Sequence, residues 1–215
     1  MKQTLCILSL ILLTFTFSCS SDDDASAIDI PALNYTVSTF NAVFFQAGNA
    51  SAPSINWNGD QGSFSLATAL TGLSINNTNG IVSWDKTLPI GIHDVQAIAT
   101  NSAGQTTANL TINNPLQGVF TGTIDNGSNG FFEVEFFSDG TTVAKTEDSG
   151  SPPTANGTWT NANNNIVADV TNPENGVEVS LSGTLTIGTT AVYAGQWHDG
   201  HGAANPQGSF SVVLN

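Results

Sequence analysis

Two histidines and an aspartate stand close together near the end of the chain, in the run His198-Asp199-Gly200-His201. Imidazole nitrogens and carboxylate oxygens are ligands that Zn²⁺ accepts, and a fourth ligand from elsewhere would complete a site. The residues that follow are mostly Gly, Ala, Asn and Pro, which is the composition of a loop. The sequence therefore offers His198, Asp199 and His201 as candidate metal ligands, with an exposed hairpin loop as the alternative.

The chain has four tryptophans, and an exposed indole ring presents a flat face on which a sugar can stack. Aromatic side chains in β proteins also fill cores, so a core position is the alternative for each ring. The candidates for ligand binding are Trp57, Trp84, Trp159 and Trp197.

Catalytic motifs are missing from the sequence. Glu133 and Glu135 share one face of a predicted strand, a pairing that a glycosidase could use, but the same alternation is typical of a half-solvated strand. The run that begins at Asp125 lacks the oxygen side chains that an EF-hand needs at its third and twelfth positions, where Gly127 and Phe136 stand. Nucleophile elbows, phosphate loops and dinucleotide fingerprints do not occur. The sequence predicts that the protein is not an enzyme.

Charge excludes two classes of partner. The 215 residues include 17 Asp and Glu but only 3 Lys and Arg, for a formal net charge of −14. Nucleic acids and anionic membrane surfaces are bound by clustered basic residues, so neither is an expected partner. The acidity also repels anionic substrates, and a neutral glycan is therefore expected in preference to a sulfated one.

The N-terminus has the pattern of an export signal. Residues 5–17 form an apolar run, shorter than the approximately 20 residues that span a bilayer. A serine and Cys19 follow, and then two serines and three aspartates. Because Cys6 falls in the segment that would be removed, the mature chain would keep one cysteine and no disulfide.

This segment resembles the signal of a bacterial lipoprotein, and its Cys-Ser-Ser-Asp-Asp-Asp run is similar to the surface-export tag of Bacteroidetes lipoproteins. It departs from the usual lipobox at Thr16, where leucine is commonest. The resemblance implies that residues 1–18 are removed and that Cys19 is lipidated and held in the outer membrane, facing the exterior. Residues 19–30 would form an acidic, disordered tether. The alternative is an ordinary cleaved signal with a cut near Ala25.

Short alternating runs separated by turn residues fill residues 31–114. Their spacing of roughly 8–12 residues indicates a sandwich or barrel and not a βαβ unit. Leu110 and Ile112 are expected to point into the core. The candidate strands are residues 54–58, 62–67, 73–76, 81–85, 93–101 and 105–112.

Residues 70–84 (LTGLSINNTNGIVSW) resemble the signature of Ig-like domains of bacterial surface proteins, which are cadherin-like sandwiches related to the dystroglycan-type repeat. Residues 88–104 are similar to the second half of that pattern. The chain departs from it at Trp84-Asp85, where such domains usually carry Gly-Thr-Pro. The resemblance implies an Ig/cadherin-like β-sandwich for residues 31–114.

Cadherin-like sandwiches often bind Ca²⁺ between domains, so the resemblance makes calcium the one cofactor to consider, although none is required. The acids available in residues 31–114 are Asp60, Asp85 and Asp94, and none lies in a cadherin-type Asp-x-Asn-Asp motif.

Residues 115–215 predict a second antiparallel β domain, either a meander barrel or a flattened sandwich. Its layout is similar, as architecture only, to the meander barrels of lipocalins and avidins. A glycine two residues before a large ring recurs, as in Gly157-Thr158-Trp159 and Gly195-Gln196-Trp197, and lets the ring lie against a neighbouring backbone. Hairpin turns are expected at Asp139-Gly140, Asn156-Gly157 and Asn175-Gly176. The candidate strands are residues 119–124, 131–137, 141–146, 158–161, 166–170, 177–187, 191–197 and 209–214.

These observations predict a non-enzymatic surface lipoprotein that acts as a binding module for a polysaccharide or a surface protein. The alternative is a structural or adhesin spacer with an Ig-like domain and a protein partner. A third class, a carrier of small ligands, requires an open cavity within the second domain. Fold alone cannot choose among these functions.

Overall fold

The structure, a computed structural model, describes residues 27–125, 127, 129–148 and 153–215. The predicted signal peptide, Cys19 and most of the predicted tether lie outside these residues. Within them the regular structure is entirely β. The first nine strands are β1 (Ala32–Asn34), β2 (Thr39–Asn41), β3 (Gly48–Asn49), β4 (Ser54–Asn56), β5 (Ser63–Leu66), β6 (Leu73–Ile75), β7 (Val82–Trp84), β8 (Gly91–Asn101) and β9 (Gly104–Asn114).

These strands form a β-sandwich. One sheet has the order β2-β9-β8-β5, the facing sheet has the order β3-β7-β6, and β1 pairs with β4. The pairing of β2 with β9 is parallel, and the other pairings are antiparallel. Leu110 and Ile112 lie in the core between the sheets, as predicted, and are at most 1% exposed. They pack with buried side chains that include Tyr35, Val82, Trp84, Leu88 and Ala97.

The remaining strands form a closed barrel, in which each strand pairs with the next and β17 pairs back to β10. The closing register joins Phe120 to Leu214 and Ile124 to Phe210. The barrel strands are β10 (Gly118–Asp125), β11 (Asn129–Phe136), β12 (Thr141–Lys145), β13 (Ala155–Ala162), β14 (Asn165–Thr171), β15 (Glu178–Ile187), β16 (Ala191–Asp199) and β17 (Pro206–Leu214).

The predicted fold class is therefore confirmed: an all-β chain with a β-sandwich first and an antiparallel β domain second. Of the two forms that the sequence left open for the second domain, the meander barrel is the one found. The predicted hairpins at Asp139-Gly140 and Asn175-Gly176 are also found, with φ of 88° at Gly140 and 70° at Gly176.

Two details differ from the prediction. Strands β1, β2 and β3, of two or three residues each, were not predicted. The hairpin predicted at Asn156-Gly157 is wrong, since both residues lie inside β13 and pair with β12 and β14.

Aromatic rings fill the half of the barrel that lies next to the sandwich. Phe120 packs edge-on against Phe136, with ring centroids 5.6 Å apart, and Phe136 packs against Tyr193 at 5.5 Å. Phe44, from the sandwich, stacks on Phe120 at 6.3 Å and is only 3% exposed. The two units therefore share one hydrophobic core, to which Leu116 of the connecting segment also belongs.

A polar contact adds to this attachment. The Lys86 Nζ donates to the backbone oxygen of Thr189, in the hairpin between β15 and β16, at 2.7 Å. The same ammonium group lies 5.0 Å from the ring centroid of Phe45. The sandwich thus covers the barrel end that carries the hairpins of residues 137–140 and 188–190.

Glycine at position 157 allows two barrel strands to approach closely. A Cβ at Gly157 would lie 1.8 Å from the backbone oxygen of Asp169, which belongs to the neighbouring strand. We expect Gly157→Ala to lower the free energy of unfolding by at least about 2 kcal/mol. Gly188→Ala is the control, because its nearest heavy atom would be 4.0 Å away. Urea unfolding followed by tryptophan fluorescence measures both, and equal midpoints would contradict this account.

The two tyrosines should make the fold sensitive to alkali. Burial raises the pKa of Tyr35 to about 12, and burial together with the Asp169 carboxylate raises the pKa of Tyr193. The unfolded chain ionises first, at a pKa of about 10. The contribution of each tyrosine to the free energy of unfolding is therefore complete below about pH 10. Above that pH it decreases, by up to about 1.4 kcal/mol per pH unit for each tyrosine.

Urea unfolding measured between pH 9 and pH 11.5 tests this expectation. Tyr193→Phe keeps the ring but removes one titrating group. The decrease in the free energy of unfolding per pH unit above pH 10 should therefore become about half as steep. We expect the variant to be less stable at every pH, because the backbone oxygens of Leu181 and Ile166 share the single proton of the Tyr193 hydroxyl, at 3.0 Å and 3.2 Å. An unchanged slope would show that Tyr193 does not cause the alkaline sensitivity.

Candidate functional site

The two ends of the barrel differ. One end is covered by the sandwich, as described above. At the other end, β10, β12, β14 and β16 finish and β11, β13, β15 and β17 begin. We call this second end the open end.

A cavity of about 270 Å³ lies inside the open end of the barrel. This volume is just below the roughly 300–1,000 Å³ of pockets that hold drug-sized ligands, so it suits a group of the size of one sugar ring. Most of the described side chains around it are apolar. The lining residues are Ile124, Phe132, Ala144, Lys145, Thr146, Pro153, Ala155, Val170, Asn172, Asn175, Val177, Val179, Leu181 and Trp197.

Trp197 supplies the largest ring in this lining. Its indole Nε1 donates to the backbone oxygen of Asp125 at 2.7 Å, which holds the ring at the rim. The ring lies against Gly208 of the neighbouring strand, where a Cβ would come within 2.5 Å of Nε1. With its polar atom satisfied by the protein, the indole has only its apolar surface to offer a ligand.

Two asparagines in the turn between β14 and β15 provide polar groups. The Asn172 Oδ1 accepts from the backbone nitrogen of Glu174 at 2.8 Å, and the Asn175 Oδ1 accepts from that of Val177 at 3.0 Å. Both carboxamide oxygens thus stabilise the turn. Among the described residues neither Nδ2 has a hydrogen-bond partner, so each can donate to a ligand.

Sequence reasoning missed Asn172 and Asn175 as candidate site residues. It identified Asn175-Gly176 only as a hairpin turn. The available signal was the spacing Asn-x-x-Asn-Gly, which predicts a turn that is held by side-chain oxygens and leaves two amide groups exposed.

The rim of the cavity is acidic, whereas its interior is uncharged. Lys145 contributes no free positive charge to the interior, because its Nζ pairs with the Glu133 carboxylate at 2.8 Å. The hydrogen bond to Glu133 raises the pKa of Lys145. Six exposed acidic residues surround the open end: Asp125, Glu147, Asp148, Glu174, Glu178 and Asp199.

The other three tryptophans lie elsewhere. Trp84 is 8% exposed in the sandwich core, and Trp57 is partly buried with its ring against Phe64 at 5.2 Å. Trp159 lies on the barrel end next to the sandwich, where its Nε1 donates to the backbone oxygen of Phe137 at 3.0 Å. Of the four predicted candidates, the structure places only Trp197 beside the cavity at the open end.

The predicted metal ligands lie at the end of β16 and in the loop after it. His201 is exposed, and its Nε2 is 3.1 Å from the backbone oxygen of Val170. His198 is partly buried and Asp199 is exposed. Within the ranges that the structure describes, no group of three or more His, Cys, Asp or Glu side chains could hold a metal ion. Metal binding by His198, Asp199 and His201 stays a prediction.

His198 belongs to a polar row on the outside of the barrel that the sequence did not predict. Across three adjacent strands, Asp169 is opposite Ser180, and Ser180 is opposite His198. The Asp169 Oδ1 and the His198 Nδ1 are buried and have no hydrogen-bond partner in the described part of the chain. Ser180 itself is 4% exposed.

Each of the three acids considered for calcium accepts a hydrogen bond from the protein. Asp85 accepts from the backbone nitrogen and hydroxyl of Thr87, and the hydroxyl bond in particular lowers the pKa of Asp85. Asp94 accepts from the Thr111 hydroxyl at 2.7 Å. Asp60 accepts from a backbone nitrogen through one carboxylate oxygen. Calcium binding is likewise still a prediction.

A larger depression, of about 980 Å³, lies on the sandwich beside β8 and β9. Its polar side chains bind one another, as Gln96 and Asn109 do at 3.0 Å. None of the described residues that line it is Phe, Tyr or Trp. The open end of the barrel is therefore the better candidate for a ligand site.

Comparisons with known proteins give little further information. No family model matches the chain, and no curated protein matches it. Among solved structures, the chain is similar to the crystal structure of human protocadherin-24 EC1-2, with a TM-score of 0.42 and 10% identity. The similarity covers 87% of this chain and 96% of that one.

No helix in the described ranges has the length and apolar character needed to cross a membrane.

Proposed function

We propose that this protein is a non-enzymatic binding module, anchored in the outer membrane by lipid on Cys19 and facing the exterior. Its ligand is a polysaccharide, which binds at the open end of the barrel. The observation that supports this ligand class is the meeting of Trp197 with Asn172 and Asn175 around an open cavity. The proposal needs no cofactor and no nucleic acid.

The chemistry of the three side chains suits a sugar. One face of a sugar ring presents C–H bonds, which pack on an aromatic surface, while its hydroxyl and carbonyl oxygens accept hydrogen bonds. Trp197 offers the aromatic surface, and the two Nδ2 groups offer the donors. A pocket with an apolar body and a few well-placed polar groups is the usual form of a small-ligand site.

The path of the chain supports presentation of this end to the exterior. Residues 29 and 30 bind to Asn58 and Asn101, at the sandwich end marked by the β8–β9 hairpin. The other end of β8 leads to Ile90, which is part of the barrel core. Strand β8 has 11 residues and so spans about 34 Å. A tether before residue 27 would thus join the sandwich far from the open end.

A structural or adhesin spacer with a protein partner is the second candidate. The packing of Phe44 into the barrel core and the Lys86 contact favour it, because they attach the sandwich firmly to the barrel. In that case the sandwich would hold the barrel in position, and the barrel would bind a protein on the cell surface.

Loss of the Trp197 ring should weaken polysaccharide binding. We expect Trp197→Ala to reduce the affinity for the best glycan on an array at least tenfold, or about 1.4 kcal/mol. Isothermal titration of the full-length chain in detergent measures the change. Trp159→Ala is the matched control, since it removes the same ring from the same barrel at the covered end.

The glycan array is probed with the full-length chain once in calcium and once in EDTA. We expect the same glycans to bind in both conditions. A blank array in both conditions would contradict the polysaccharide proposal and favour the spacer. An equal loss of glycan affinity in Trp197→Ala and Trp159→Ala would show that the Trp197 ring stabilises the barrel and does not contact the glycan.

Anchoring by lipid makes a separate prediction. We expect Cys19→Ser to move the protein from the membrane fraction to the soluble fraction of the cells, since the acyl chains supply about 0.8 kcal/mol per buried methylene. Cys6→Ser is the control, because Cys6 lies in the segment that would be removed. Membrane fractionation and surface proteolysis of intact cells provide the measurements. A Cys19→Ser protein that stays in the membrane would contradict the anchor.

A further inference from the structure

Among the residues that the structure describes, the cavity is closed on the side that faces the sandwich. At its inner end lie Phe132 and Leu181, and beyond them Tyr193 packs against Phe210 with ring centroids 4.7 Å apart. Phe44 and the sandwich then cover the far end of the barrel. A polymer therefore cannot thread through the barrel, so only a chain end or a side group can enter.

The wall of the cavity favours an apolar substituent on the group that enters. The small side chains of Ala144 and Ala155 leave the interior of the barrel unfilled at this end. Much of the aliphatic wall around the space is formed by Val170, Val177 and Val179. Hydroxyl groups that face such a wall would lose their hydrogen bonds to water, at a cost of about 1–3 kcal/mol each. A methyl group would instead gain from burial.

The donors at the rim add a second requirement. The Asn172 and Asn175 Nδ2 groups need acceptors close to the apolar part of the ligand. An acetamido group has both features on a few atoms, because its methyl group is apolar and its carbonyl oxygen accepts hydrogen bonds.

We propose that the cavity recognises the terminal residue of a glycan through an acetamido substituent, an inference that rests on the proposed function. The methyl group enters the apolar wall, the carbonyl oxygen accepts from an asparagine amide, and the sugar ring packs on Trp197. The six rim carboxylates repel anions, so the terminal residue is uncharged and not a uronic acid.

Matched pairs of sugars provide the test. The probes are the methyl glycosides of N-acetylglucosamine and N-acetylgalactosamine, each compared with the glycoside of glucose or galactose and of the uronic acid. We expect at least tenfold tighter binding of the acetamido member of one pair to the full-length chain in detergent. Saturation-transfer difference NMR should show the strongest transfer at the acetyl methyl protons.

Two variants control for folding. Ala155→Leu fills the cavity with apolar volume and should abolish binding while leaving the fold intact. Ala162→Leu, the same substitution at an exposed position at the other end of β13, should bind as the parent chain does. Retained binding in the Ala155→Leu protein would overturn the assignment of the cavity.

Two outcomes separate this inference from the proposed function. Trp197-dependent binding of glycans with no advantage for acetamido sugars, or with the strongest transfer at ring protons, would overturn the inference and leave the polysaccharide proposal standing. Absence of binding to every glycan and every monosaccharide probe would overturn both.

Discussion

The packing of aromatic rings inside the barrel is the constraint on which the rest of the structure depends. An eight-stranded barrel has an interior that side chains can just fill. Toward the sandwich this space is filled by rings such as Phe120, Phe136 and Tyr193, and Phe44 completes the stack from outside the barrel. Toward the other end Ala144 and Ala155 leave the space unfilled. One core therefore fixes the sandwich to the barrel and leaves one end available.

The charged side chains of the barrel lie outside its apolar interior. Charged side chains are costly to bury, so the acidic residues of the barrel lie at its rim or on its outer surface. Those at the open end surround an uncharged cavity, and the Lys145 ammonium is paired with Glu133 on the outside of the barrel. Because the field of this rim adds to the net charge of −14, neutral groups meet a much smaller barrier at the open end than anions do.

Local patterns predicted much of this fold but little of its site. Alternation and turn residues identified the long strands, and Leu110 and Ile112 were correctly placed in the sandwich core. Closure of the barrel could not be predicted, since it pairs Phe120 with Leu214, far away in sequence. The cavity depends on side-chain volumes that meet only after closure. Phe44 lies in a stretch without a strand pattern, so its position in the barrel core was also unpredictable.

Trp159 and Trp197 show why a motif alone could not identify the site. Each follows a glycine by two residues, and each donates its Nε1 proton to a backbone oxygen at the end of the strand two places away, at 3.0 Å and 2.7 Å respectively. The local structure is therefore the same at both ends. What differs is tertiary: the sandwich lies against the end that holds Trp159, and small aliphatic side chains surround Trp197. Since the sandwich also joins the N-terminal segment, the end that it leaves uncovered is the one directed away from the proposed anchor.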